Sequence, residues 1–185
     1  VLYELLSLDG VAEEPGNWMF DVDQQILENL SSIISTQDAV LLGRATYDYW
    51  VDYWPSSDVE PFASFINHTV KHVVTSSRPA TEWADTVLVD EPVADYVSNL
   101  KRQDGGDIGV HGSISLAQSL LKAGLVDELR LVVTPTLAHE GRKLFDHEDT
   151  LHRLTLLDAK YTPTGHLLLG YRTAPERARS TAAPQ

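Results

Sequence analysis

DIGVHGSISLAQSLLKAGLVDELRLVVTP, residues 107–135, decides the architecture. Ile108 to Val110 is a short apolar run that bends at His111-Gly112. A helical period follows, with Leu116, Ala117, Leu120 and Leu121 on one face and Ser115, Gln118, Ser119 and Lys122 on the other. Gly124 is the stop signal. Leu129 to Thr134 then reads as a strand, with Leu129, Leu131 and Val133 alternating against Arg130, Val132 and Thr134. Strand, turn, helix and strand in this length make a βαβ crossover, so a parallel sheet is expected. The bend leaves backbone N–H groups at a helix N-terminus, a seat suited to phosphate.

Upstream, the same alternation continues. Val1 to Leu6 reads as a strand, and Ser7 to Gly10 opens a long loop that runs through Glu13-Glu14-Pro15-Gly16-Asn17. A helix from Asp21 or Asp23 carries Val22, Ile26, Leu30, Ile33 and Ile34 on its apolar face. Val40-Leu41-Leu42 suits a strand covered on both faces. Gly43 to Thr46 reads as a turn, followed by an aromatic-rich segment (Tyr47, Tyr49, Trp50, Tyr53, Trp54) that ends at Pro55. A short helix over 59–66, a strand over Val70–Thr75, a turn at 75–79 and a strand at Val87–Val89 come next. Pro92 sits at the first turn of a helix that buries Val93, Tyr96, Val97 and Leu100. Downstream, Leu151–Lys160 and His166–Arg172 read as a hairpin joined through Thr162 to Gly165. The expectation is an α/β domain over 1–173, mostly parallel with an antiparallel end, and a flexible tail over 174–185.

Composition narrows the function. The chain has 185 residues and a net charge of −13, from 14 Lys+Arg against 27 Asp+Glu. Such a field disfavours nucleic acid and acidic membranes as partners. With no cysteine, disulfides, thiolate catalysis and cysteine metal sites are excluded. No apolar run has the length of a membrane span, and a cytoplasmic location is expected. His68 and His72 are four apart, but the second falls in a strand pattern, and no H-E-x-x-H or carboxylate cluster supports a metal site. G-x-G-x-x-G, G-x-x-x-x-G-K-[ST] and G-x-S-x-G are all absent.

Ligands of open α/β sheets collect beyond the carboxyl ends of the strands. Four turns lie there: 7–10, 43–46, 75–78 and 111–115. They carry small or hydroxyl-bearing residues, and two carry an arginine. Small residues admit a ligand close to the backbone, hydroxyls donate to phosphate oxygens, and arginine clamps phosphate at two points. Each turn alone is a weak signal: Gly43 to Thr46 also reads as a tight turn with a helix cap, Ser113 as a cap, and Thr75 to Ser77 as an ordinary polar turn.

S-L-D-G at 7–10, L-L-G-R-x-T-Y at 41–47, T-S-S at 75–77, V-x-G-S-x-x-L-A at 110–117 and G-L-V-D-E-L-x-L-x-x-x-P at 124–135 occur in order. This set resembles the dihydrofolate reductase-like family that includes the reductase domain of riboflavin biosynthesis (RibD C-terminal type). The resemblance implies a three-layer α/β/α sandwich, NADPH as cofactor and a homodimer. It implies that Gly43, Arg44 and Thr46 meet the cofactor's phosphates. Thr75, Ser76, Ser77 and Arg78 would meet the 2′-phosphate, and Gly112, Ser113 and Ile114 the pyrophosphate, with His111 beside them. Asp9 is the candidate for orienting substrate or relaying a proton, and Trp18 and Tyr47 for stacking on a flat ring. The outside-family reading of Asp9 is a turn-forming Asp-Gly pair. His111-Gly112-Ser113 departs from the family's Glu-Gly-Gly, which counts against the riboflavin intermediate as substrate. The expected function is an NADPH-dependent reductase of a small heterocycle. Dihydrofolate or another pterin or carbonyl compound is the alternative substrate, and a non-catalytic nucleotide-binding or dimerisation module the alternative class.

Overall fold

A computed structural model of the chain describes residues 1–145 and 153–173. The expected tail and the start of the strand expected from Leu151 lie outside the described residues. Eight strands form one sheet in the order β4-β3-β2-β5-β1-β6-β8-β7. β1 (Leu2–Leu6), β2 (Gln37–Gly43), β3 (Val70–Val74), β4 (Thr86–Val89), β5 (Asp107–His111) and β6 (Glu128–Val133) are parallel. β8 (Leu167–Thr173) runs antiparallel to β6, and β7 (Leu154–Tyr161) antiparallel to β8. The registers Tyr3↔His111, Leu41↔Val110 and Gly43↔Val74 bring the carboxyl ends of β1, β2, β3 and β5 to one edge. From the adjacent strands β1 and β5 the chain leaves in opposite directions, to β2 through α1 (Gln24–Ile34) and to β6 through α5 (Ile114–Lys122) on the other face, so their loops diverge where such sheets hold ligands.

The sheet is covered on both faces. On one, α4 (Val93–Leu100) and α5 (Ile114–Lys122) pack Val97, Leu116, Ala117 and Leu120 against Leu2, Leu6, Leu41, Val110, Leu129 and Leu131. On the other, α1 (Gln24–Ile34), α2 (Arg44–Tyr53) and α3 (Phe62–His68) pack Ile34, Tyr47, Val51, Phe62 and Ile66 against Val40, Leu42 and Val73. Tyr3, Val132 and Leu168 meet Ile26 of α1 on that second face. The expected polar alternation on β6 therefore fails at Val132, which is fully buried because α1 covers the face it points to.

The segment expected to be a turn and loose aromatic run over 43–54 is α2, which starts directly at Arg44. Tyr47, Trp50, Val51 and Trp54 recur at i, i+3, i+4 and i+7, a helical stripe obscured in sequence by the exposed Tyr49 and Tyr53. α1 begins after Asp23, whose carboxylate accepts the N–H groups of Gln25 and Ile26 at 3.0 and 3.2 Å. Gly124 ends α5 at φ +65°, a conformation L side chains avoid.

Candidate active site

Three strand-end turns are tied together across β2, β3 and β5. Arg44, at the first turn of α2, donates from Nη1 to Thr75 Oγ1 (3.3 Å), Ser77 O (2.9 Å) and Ser77 Oγ (3.0 Å), while Nε meets Asp48 at 2.7 Å. Ser113 Oγ accepts the Gly43 N–H at 3.0 Å, and Thr46 Oγ1 donates to Gly112 O at 3.3 Å. Gly112 stands at φ +59°, and a Cβ there would lie 2.8 Å from Trp50 Cζ2. Only glycine allows both the turn and the approach of α2. The first intrahelical bond of α5 runs from Ala117 N to Ser113 O, so the amides of Ile114, Ser115 and Leu116 precede it. Arg142 reaches the same helix end, its Nη2 2.7 Å from Ser115 Oγ.

A second group of contacts joins the loops that leave β1 and β6. Asp9 accepts the Ser7 hydroxyl at 2.7 Å and the N–H groups of Ala138 and His139, both at 2.9 Å. Leu8 N donates to Thr136 O, Ala12 N to Arg142 O, and Val11 bridges Lys143. Between these loops opens a cavity of about 520 Å³, walled by Trp18, Phe20, Leu137, Glu13, Glu14 and Glu140 among others. The result is two adjoining surfaces at one sheet edge, linked through Arg142 and α5.

Residues 1–168 match the family model of the RibD C-terminal domain. The chain belongs to the RibD C-terminal domain family. It is 30% identical over 147 residues, 76% of each chain, to the uncharacterised protein YyaP of Bacillus subtilis (strain 168). Among solved structures it resembles a candidate riboflavin biosynthesis protein of Shewanella sp. PV-4, with TM-score 0.73 and 16% identity over 94% of this chain and 98% of that one. It also resembles the diaminohydroxyphosphoribosylaminopyrimidine deaminase/5-amino-6-(5-phosphoribosylamino)uracil reductase of Thermotoga maritima (TM-score 0.66, 16% identity), covering 94% of this chain and 56% of that one. At that identity the two structures speak for the fold alone.

Within this RibD C-terminal domain the expected site residues fall into three groups. Gly43, Arg44, Thr46, Thr75, Ser77, Gly112, Ser113 and Ile114 converge at the strand ends, and Ser76 is exposed beside them. The Ser113 hydroxyl oxygen accepts the Gly43 N–H, which leaves its O–H to donate. Arg78 is paired with Glu82, four residues on, in an exposed ion pair.

The second group turns inward. The His111 ring is 3% exposed, its Nε2 2.8 Å from Gln37 Oε1, and it lies among Tyr3, Phe62 and Phe65. Burial holds its pKa down to about 3, so the ring is neutral and faces the core, not a ligand. Gly109 makes room for this pair, since a Cβ there would lie 2.0 Å from Gln37 Oε1. Tyr47 is 1% exposed and its hydroxyl accepts from Trp83 N and donates to Thr81 O, so it is a core residue and no stacking platform.

Trp18 and Asp9 make the third group, on the β1 and β6 loops. Trp18 is buried, with its indole N–H on Glu13 O, and forms the cavity wall. The bonds from Ser7, Ala138 and His139 hold the Asp9 carboxyl well below the usual carboxylate range. It clamps two loops, and the proton-relay expectation does not suit a group so firmly ionised.

Two residues escaped the sequence reading. Arg142 joins the α5 N-terminus from 28 residues beyond Ile114, a proximity created only by the β6 loop folding back. Glu4 is 4% exposed in mid-strand, with Oε2 unpartnered and its pKa pushed up to about 8 by burial, offset in part by the backbone N–H groups of Leu5 and Gly112. Its signal was in plain view: an acid between Leu2 and Leu6 at same-face spacing in an apolar strand.

Proposed function

We propose that the chain is a reductase that uses NADPH to reduce a small heterocyclic substrate, a reaction akin to the one for which the Thermotoga relative is named. The observation that carries this reading is the node at Arg44. One guanidinium bonds the turn after β3 from the first turn of α2, so two of the turns that a phosphorylated dinucleotide would span in this reading are held together. Arg44, Thr75 and Ser77, with Ser76 beside them, would hold the 2′-phosphate. Gly112, the leading amides of α5 and Arg142 would hold the pyrophosphate.

A nicotinamide held there would supply hydride chemistry to an acceptor carbon, and the oxygen or nitrogen bonded to that carbon would take up one proton. The chain's own contribution is orientation: the cofactor turns are fixed on one side, and the Asp9 clamp shapes the substrate loops on the other.

The test is equilibrium binding of NADPH and NADH, by fluorescence or calorimetry, to the native chain and to Arg44→Ala. NADPH affinity should fall by about tenfold or more, the scale of a lost charge-assisted contact, with NADH changed far less. Equal losses would remove the 2′-phosphate assignment. A native chain that binds no NADPH would sink the reductase reading.

A further inference from the structure

The cavity between the β1 and β6 loops has a charge pattern that cofactor binding does not require. Phe20 and Leu137, on its wall, are 58% and 55% exposed, a concentration of apolar surface typical of ligand seats. Trp18 backs them. The charged residues on the same wall are Glu13, Glu14 and Glu140, and none of the described lining residues is Lys or Arg. Two of the three acids are held in place: Glu13 Oε2 accepts Arg142 N–H at 3.1 Å, and Glu14 Oε2 accepts Asn17 Nδ2 at 2.8 Å.

The sequence accounts for the pattern. No Lys or Arg occurs from Val1 to Gly43, the segment that supplies β1, its loop, α1 and β2. The lining stretch of the β6 loop, 136–141, reads TLAHEG, and the next cation, Arg142, is turned to Ser115 on the cofactor side. A substrate phosphate in this cavity would face three carboxylates without a counter-charge, whereas a neutral ring would gain the aromatic wall and a cation would gain the acids as well.

Resting on the reductase reading, we propose that the acceptor substrate is a flat, neutral or cationic heterocycle without a phosphate, seated against Trp18, Phe20 and Leu137 and selected by Glu14 and Glu140. The chain would thereby part from the Thermotoga relative, whose name specifies a phosphoribosylamino-uracil.

A matched pair tests this: 5-amino-6-(5-phosphoribosylamino)uracil and its dephosphorylated ribosylamino form. Each is titrated by calorimetry into the full chain, with and without NADPH, and NADPH affinity is measured separately. The dephosphorylated form should bind about tenfold tighter or more at low salt. The gap should narrow at high salt and in the Glu14→Lys/Glu140→Lys double variant, both positions being exposed. Equal or tighter binding of the phosphorylated form overturns the proposal, and so does failure of both forms to bind. The reductase reading fails on a different result, the absence of NADPH binding.

Discussion

Asp9 shows how a residue's partners decide its role. In sequence it is an acid in a loop expected beside the cofactor, a natural candidate for moving a proton. In the structure three donors surround it and hold its pKa down, which stabilises the ionised form across the working pH range. Asp9→Asn should therefore leave the pH profile of turnover between about 5 and 8 unchanged while raising KM, as the 136–139 loop loosens. Steady-state NADPH oxidation against pH reads both quantities. An activity limb in the native enzyme that disappears in the variant would restore Asp9 as an acid. His111 and Tyr47 carry the same lesson. Both sit among residues expected at a ligand, and both have side chains satisfied by core partners that lie far away in sequence.

At the scale of elements, α2 and α5 form one structure with the glycine corner between them. Gly112 must adopt a left-handed conformation and also let Trp50 approach to a distance no Cβ tolerates. Gly112→Ala should cost about 1–3 kcal/mol through strain alone, more if Trp50 is displaced. It should also weaken NADPH, because the corner shifts away from Thr46 and the α5 amides. Denaturant melts paired with cofactor titrations would check this, and an unchanged midpoint would show that the corner is freer than its geometry implies. Gly43 has no such constraint, for a Cβ there meets only ordinary contacts on Ser113 and Leu116. The two glycines look alike in sequence, and backbone conformation and the approach of Trp50 separate them.

For the whole molecule, two buried titratable groups pull stability in opposite directions. Glu4 has a folded pKa of about 8, above its ordinary 4.5, so the folded state keeps a proton that the unfolded chain releases between those values. Its contribution is intact below about 4.5 and is lost as pH rises toward 8, at up to ~1.4 kcal/mol per pH unit. His111, held down to about 3 from 6.5, does the reverse: the unfolded chain takes up a proton that the folded state refuses, so stability is lost as pH falls from 6.5 toward 3. The two slopes offset each other between about 4.5 and 6.5. Glu4→Gln should therefore lose less Tm than the native chain between about pH 6.5 and 8, measured by calorimetry at matched ionic strength. Parallel profiles would mean that Glu4 titrates near its ordinary value.

By itself the sequence determined the alternation of strands and helices, the antiparallel end and the family. The first two follow from period-2 and period-3.6 patterning and from glycines whose turns are local properties of the chain, and the family from the ordered motifs that resemble it. It also indicated most of the residues that gather at Arg44, because strand-end turns in a parallel sheet share an edge wherever they fall in the chain. It could not place α2, whose buried stripe was masked by exposed tyrosines, nor tell which polar groups lie at the strand-end edge and which face the core. Orientation of that kind depends on partners such as Gln37 for His111, Trp83 for Tyr47 and Ala138 for Asp9, which lie 74, 36 and 129 residues away. Only the tertiary structure brings them within hydrogen-bond distance, and at that distance desolvation and pairing settle both charge and role.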